Sequence, residues 1–371
     1  MGVCFGDTGD LPKMESNFGE QDTRRTSISR QRPEMMTFDG GTYKFACVSR
    51  AGCNKSGSRK VNQDSYCAIP NFCKNPEWAF FAVYDGHGTY GHLCSAFCRD
   101  NMPMVLAKYL DGSKYENDPE AALKTAFVKT DAMLHANKTI NDKNSGTTCI
   151  AMLVRGTQIY VANAGDSRAI MVAGSCSPGD SHTSEDQPTT CLESPIIALS
   201  TDQDTYREDE AARVVEAGGK VMTSGNFLTR VRSNTPGSAA HELHASSDTL
   251  RVWGGVDSGG LAVTRSLGDF ELKDFGVIPS PEILSKDICG DDARIFLGSD
   301  GIFDVWFDRD VVDDMKQTTC PMESCMKIVR NAKQEWVVTG SEGSGKIDDM
   351  TAMSIFFTTS PVKVQTNDGC R

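Results

Sequence analysis

The 371-residue chain contains no run of 18 apolar residues, so no segment is long enough to cross a bilayer as a helix. Its opening, "MGVCFGDTGD", lacks the apolar core of a secretory leader, and an intracellular, cytoplasmic protein is expected. Basic charge is short as well. Thirty-eight Lys and Arg face 50 Asp and Glu, a formal −12, which removes the positive face that a general nucleic-acid binder needs. The 14 cysteines lack the regular spacing of a disulfide scaffold. Cys149 in "TTCIAMLV" sits in an apolar run where a reduced thiol packs as a small hydrophobe, and Cys94 and Cys98 have no second pair to complete a zinc site. A reduced environment follows. There is no internal repeat.

Three short matches to chemical motifs fail on context. "CIAMLVR" has the Cys-x5-Arg interval of thiol phosphatases, but Ile150, Met152 and Val154 alternate as in a buried strand instead of forming a phosphate-cradling loop. "GSEGSGKI" approaches a P-loop, yet Ile347 stands where a metal-binding hydroxyl is required and "MTAMSIFF" reads as strand. "HELH" (241–244) has the wrong interval for a helical zinc pair.

Residues 1–41 are polar and without period, the pattern of a flexible tail, with structure expected to begin near "TYKFACVSR". Strand patterns follow around 79–84, 147–154, 158–163, 168–173, 293–298 and 351–358. A helix is expected in "NDPEAALKTAFVKTDAMLHAN", with Asp118 as N-cap, Pro119 in the first turn, and Leu123, Ala126, Phe127, Thr130 and Leu134 on one face. "EDEAARVVEAGG" predicts a short helix stopped by Gly218 and Gly219, and "CPMESCMKIVRNAKQEWVV" another with Ile328, Val329, Ala332 and Trp336 in a stripe. Consecutive strands joined by short turns favour antiparallel pairing. Residues 174–195 and 232–249 read as surface insertions, and 361–371 as a short C-terminal tail.

One design recurs. "AFFAVYDGHG" and "RIFLGSDGIFD" each run an apolar strand into Asp-Gly; "YVANAGDSRA" ends a strand at Gly165-Asp166; Asp64 lies in "VNQDSY", and Asp348 and Asp349 precede a strand in "GKIDDMTAMSIFF". Carboxylates gathered at strand ends would repel one another, and hard divalent cations with all-oxygen ligands relieve that repulsion.

The ordered set "SRKVNQD", "VYDGHG", "SGTT", "ANAGDSRA", "GGLAVTRSLGDF", "SDGIFD" and "DDMT" resembles the metal-dependent serine/threonine protein phosphatases of type 2C, over roughly residues 42–360. The resemblance implies an α+β fold, an α-β-β-α four-layer sandwich of two antiparallel sheets flanked by helices, with a dinuclear Mg²⁺ or Mn²⁺ centre and a weaker third ion at one end. It implies Asp85 as bridging ligand, Gly86 offering its carbonyl, Asp300 and Asp348 as further ligands, Asp64 acting through water, and Asp166 and Asp304 completing a third site with Asp300. Arg59 matches a phosphate-binding position and His87 a general acid; the alternatives are a surface charge for Arg59 and a water-orienting role for His87. Phosphorylated proteins are the implied substrates, for an enzyme expected to be monomeric. The rival expectation is a catalytically weak fold member acting as a phosphoprotein-binding scaffold. Departures from the family pattern are Gln63 in place of a glutamate, "LSTDQDTY" without its histidine, the interrupted "DGHGTYG", and an enlarged flap near 205–262. In the tail, Gly2 and Cys4 suit N-myristoylation and palmitoylation, with "RRTSISRQR" as a basic partner for anionic lipid, and Ser27 follows Arg24-Arg25 as a kinase site.

Overall fold

The segment Trp78–Tyr84 is apolar along its whole length because both of its faces are covered. Ala79, Phe81 and Val83 enter one buried cluster, whereas Phe80, Ala82 and Tyr84 enter another. In Arg294–Gly298, Ile295 and Leu297 join that first cluster and Phe296 a third. Period-two alternation with two apolar faces is the mark of strands sandwiched between layers. The computed structural model describes residues 28–38, 41–54, 56–111, 115, 117–172, 196–224, 249–255, 259–288, 293–340 and 346–359.

Sheet one has six strands in the order β1 (Ile28–Phe38), β2 (Gly41–Arg50), β16 (Met350–Thr359), β15 (Arg294–Gly298), β9 (Arg168–Val172) and β10 (Ile196–Ala198). Sheet two has five, in the order β14 (Glu282–Asp287), β8 (Gln158–Ala164), β7 (Cys149–Arg155), β4 (Trp78–Tyr84) and β3 (Ser65–Pro70). Every pairing within them is antiparallel. Between the sheets lies the first cluster, with Tyr43, Phe45, Phe81, Met152, Leu297 and Phe357.

Helices close both outer faces. On sheet two, α1 (Gly91–Leu110) buries Cys94, Cys98, Met102, Leu106 and Leu110, a ladder at every fourth residue, although Pro103 interrupts its backbone bonding. Beside it, α2 (Pro119–Ala136) starts as expected. Asp118 Oδ1 accepts the Ala121 N–H at 3.0 Å, and Leu123, Ala126, Phe127, Thr130 and Leu134 are all buried. Sheet one carries α6 (Asp308–Lys316) and α7 (Pro321–Gly340), whose Val311, Met315, Ile328, Val329 and Ala332 meet Phe296 and Ala352. The four layers are those implied by the sequence resemblance.

A smaller lobe carries α3 (Glu208–Glu216), β11 (Lys220–Thr223) paired with β12 (Leu250–Trp253), and the one-turn α4 (Phe270–Lys273), around Val214, Val252, Val263, Leu272 and Val277. Beneath α3 a fully buried Glu210 is held by Arg213 (2.7 and 2.6 Å), Arg265 (2.6 Å) and Thr264 Oγ1 (2.5 Å). This pins the helix to the loop that leads into α4 and holds the carboxyl far below its usual range against the opposing effect of burial.

One boundary is corrected. The tail expected over 1–41 ends earlier, because Ile28–Phe38 forms the outermost strand of sheet one, with a register shift between Gln31 and Glu34. An edge strand needs only backbone pairing with β2, so "ISRQRPEMMTF" shows no apolar alternation to betray it, and Pro33 falls at the irregularity. Residues 1–27, with Gly2, Cys4 and Ser27, lie outside the described residues, as do most of the two insertions and the C-terminal tail.

Candidate active site

Strand ends from both sheets deliver the carboxylates to one place. After β4 the chain passes through Asp85 into β5 (Gly86–Gly88), which pairs with β6 (Ser145–Thr147), itself paired with β13 (Leu267–Gly268). The Asp85 main chain is clamped: its N–H donates to Thr148 Oγ1 (3.2 Å), and its carbonyl accepts from the Thr148 N–H (2.8 Å) and Thr147 Oγ1 (3.0 Å). Its Oδ2 is buried with no hydrogen-bond partner. Gly86 must be glycine, since a Cβ would stand 2.5 Å from Gln63 O and closer still to Gly91 O.

Asp64, at the start of β3, is 2% exposed. Its Oδ2 accepts from Ser299 Oγ (2.8 Å) and Thr351 Oγ1 (2.7 Å), both on sheet-one segments, while Oδ1 is buried and unpartnered. Asp300 opens the one-turn helix α5 (Asp300–Phe303) after β15, and Asp304 follows it, its N–H on Asp300 O at 2.7 Å. Asp166 lies in the β8–β9 turn behind Gly165, whose φ of +114° only glycine adopts readily. Asp348 and Asp349 precede β16. Asp349 is consumed by structure, accepting the N–H of Gly52 (2.7 Å) and Gln63 (3.0 Å) and pairing with Lys60 at 3.2 Å. Asp348 is flanked by two ammonium groups, Lys60 on Oδ1 and Lys346 on Oδ2 (2.7 Å).

A cleft of about 430 Å³ opens over these residues. Asp85, Gly86, His87, Asp166, Asp300 and Asp348 line it, together with Lys60, Lys346, Asp269 and, from the smaller lobe, Arg251. Asp64 lies behind the floor, and Asp304 is exposed outside the lining. Arg59 is not brought in. It ends the hairpin closed by the Cys53–Arg59 bridge, is exposed, and has Arg50 as an electrostatic neighbour.

The electrostatics divide the carboxylates into two kinds. Asp85 is pushed well above the usual carboxylate range by burial first, then by Asp300 and Asp64. Asp166 rises likewise through burial and then Asp300 and Asp304; Asp300 rises through burial and then Asp348. Asp64 reaches about 8, again through burial and then through Asp349. Burial would raise Asp348 too, but Lys60 and Lys346 outweigh it and hold that carboxyl below its usual value. Excess negative charge, hard oxygen donors and two orphaned buried oxygens (Asp64 Oδ1 and Asp85 Oδ2) are what a divalent cation site of the Mg²⁺ or Mn²⁺ type requires. Among the described residues, the one trio of carboxylates with ligand atoms all within 4.8 Å is elsewhere, at Asp209, Glu210 and Glu282, where Arg207, Arg213 and Arg265 already neutralise it.

Residue patterns alone assign no role to Lys60, Lys346, Arg251 or Asp269. The first two flank recognised motifs, in "SRKVNQD" and "GKIDDM", so their positions were visible, but the pairing of Lys60 with Asp348 spans 288 residues. His87 is placed beside Asp269, Nε2 to Oδ2 at 2.6 Å, across 182 residues.

Residues 48–344 match the family model described as Protein phosphatase 2C. Probable protein phosphatase 2C 35 of Arabidopsis thaliana is 32% identical over 314 residues, covering 84% of this chain and 83% of that protein. Probable protein phosphatase 2C 34 of the same plant is 28% identical over 337 residues, covering 85% and 84%. The crystal structure of serine-threonine phosphatase 2C from Toxoplasma gondii aligns with a TM-score of 0.66 at 18% identity, over 89% of this chain and 99% of that one. The chain belongs to the protein phosphatase 2C family and is a protein-serine/threonine phosphatase.

Proposed function

We propose that the cleft hydrolyses phosphoserine and phosphothreonine monoesters of protein substrates with bound Mg²⁺ or Mn²⁺, held by Asp85, the Gly86 carbonyl, Asp300 and Asp348, with Asp64 behind them and Asp166 and Asp304 beside Asp300 for a weaker third ion. The observation that carries this reading is the pair of buried, unpartnered oxygens, Asp64 Oδ1 and Asp85 Oδ2, in a wall of carboxyls pushed above their usual range. When bound, such ions screen the ester's phosphate charge and supply an acidified water. The protein's own part is to hold that constellation rigid. Thr147 and Thr148 fix the Asp85 backbone, and Ser299 and Thr351 fix the Asp64 carboxylate. On the cleft wall, His87 is the group able to hand a proton to the departing serine or threonine oxygen. Arg59, the phosphate-binding position the resemblance implies, stays outside the lining, whereas Arg251 is part of it and offers a second cation for the phosphate. Nothing in the fold or the relatives favours the scaffold alternative, since every predicted carboxylate is present.

Release of phosphate from a phosphothreonine peptide, measured with Mg²⁺, with Mn²⁺ and with EDTA, tests the proposal. Turnover is expected only with a divalent cation, and undiminished turnover in EDTA overturns the metal assignment.

Among the described residues no helix is long and apolar enough to cross a membrane. We further propose a monomer tethered at the cytoplasmic membrane face through acylated Gly2 and Cys4, a reading of the sequence alone. Fractionation of cells expressing wild type, Gly2→Ala and Cys4→Ser decides it, and a wholly soluble wild type ends it.

A further inference from the structure

His87 sits in β5 opposite Gly146 of β6, and its Nε2 lies 2.6 Å from Asp269 Oδ2. The same oxygen accepts from Ser266 Oγ at 2.6 Å. Asp269 is 3% exposed on its side chain, so the carboxylate faces these donors rather than solvent. Its backbone is equally committed. Asp269 takes a left-handed conformation (φ 51°, ψ 46°), unusual for a non-glycine residue, and its N–H donates to Ser145 O at 3.0 Å. A Cβ on Gly146 would overlap Asp269 Oδ2, so the glycine makes room for the carboxylate to lie against β6. Three separate features, a strained backbone, a missing side chain and a serine hydroxyl, therefore converge on one oxygen aimed at one ring nitrogen.

We propose that Asp269 is the positioning residue for His87: its carboxylate accepts the Nε2–H and fixes the ring plane, so that in the imidazolium the Nδ1–H is the proton given to the leaving oxygen, and the ring left behind is neutral with its one remaining proton on Nε2. This rests on the acid role of His87 given above. A carboxylate accepts but does not donate, so the neutral ring must keep its proton on Nε2 in this contact. Both residues line the cleft, which places the dyad in reach of the bound ester. Asp269 acts through His87 and need not touch substrate.

Two measurements test it. The first uses ¹⁵N-histidine-labelled protein without substrate, with the His87 signals assigned by their loss in His87→Ala. Long-range ¹H–¹⁵N correlation is expected to show the neutral ring protonated on Nε2 in wild type and a mixture of tautomers in Asp269→Asn. A wild-type ring protonated on Nδ1 overturns the proposal and leaves the phosphatase reading intact. The second compares an alkyl phosphoseryl peptide with p-nitrophenyl phosphate, whose leaving group hardly needs a proton. General acid catalysis is worth about 10²–10⁴-fold. Asp269→Asn is expected to lose a large part of that range on the peptide, with turnover of the nitrophenyl ester falling less than about threefold. Gly146→Ala, which retains the charge but displaces it, should reproduce the split between the two esters. Equal losses on both esters in both variants overturn the positioning role. If His87→Ala itself affects the two esters equally, the acid role fails first, and the tautomer result still judges the Asp269 contact on its own.

Discussion

Asp85 carries a buried oxygen that nothing in the protein satisfies, and substitution separates structure from chemistry at that atom. Asp85→Asn keeps the volume and removes one charge from a cluster whose members raise one another's carboxyls. Its metal-free melting temperature is expected to exceed wild type by about 1–2 °C, the shift of roughly 1 kcal/mol in a domain of this size. Phosphopeptide turnover should fall at least a hundredfold, several kcal/mol of lost charge stabilisation. Calorimetry in EDTA and a phosphate-release assay check both, and wild-type turnover contradicts the assignment. Lys346 offers the complementary case. Half exposed, its ammonium occupies Asp348 Oδ2, where a cation would have to displace it. An exposed pair is worth up to about 1 kcal/mol, so Lys346→Gln should tighten Mg²⁺ binding by up to about fivefold in a titration calorimeter. Weaker binding would make the lysine a partner of the site, not a competitor.

The elements differ in how openly the sequence declares them. β4, β7 and β15 are buried on both faces, so apolar runs announce them, and α2 announces itself through Asp118 and its stripe. β1 and β14 are edge strands, which owe their place to backbone pairing, and "EILSKD" carries too few apolar residues to be read as a strand. Pro103 disguises α1, although its fourth-residue ladder of Cys, Met and Leu is visible in the sequence. The candidate site shows the same division. Its aspartates follow or precede strands and repeat a local pattern, whereas Lys60, Lys346 and Asp269 acquire their roles from partners brought close only by folding. Arg265 is another such residue, and it governs α3. Breaking a buried ion pair costs about 3–5 kcal/mol, and the bidentate grip of Arg213 on Glu210 remains, so Arg265→Ala should lose about 3 kcal/mol in chemical denaturation. Arg265→Lys should recover less than half, because one ammonium cannot reach both Glu210 and Glu282 as the guanidinium does. A loss below 1 kcal/mol in Arg265→Ala would mean that α3 is held by its apolar contacts alone.

Across the whole molecule, charge and topology set how it responds to its surroundings. Carboxyls raised in the folded state bind protons more tightly there than in the unfolded chain, so their contribution is complete below about pH 4 and is lost as pH rises through the folded values, about 8 for Asp64. Metal-free protein is therefore expected to melt at progressively lower temperature from pH 5 to 8, and saturating Mg²⁺ should flatten that slope. Glu210 and Asp348, lowered instead, lose their contribution only on the acid side of that window. A melting temperature that climbs from pH 5 to 8 in EDTA would contradict the charge balance of the cleft. The topology acts on a different clock. β2, near the start of the chain, pairs along ten residues with β16, near its end, and Asp64 accepts hydrogen bonds from Ser299 and Thr351. A ribosome delivers Ser299, Thr351 and β16 long after the residues they pair with. Sheet two has every strand but β14 in hand once β8 has emerged, but β2 must wait, unpaired on the side that β16 will occupy, until some three hundred further residues have been made. The catalytic cleft is thus closed only after β16 has been made, and a nascent chain stalled before Asp348 exposes an apolar strand edge for chaperones to shield.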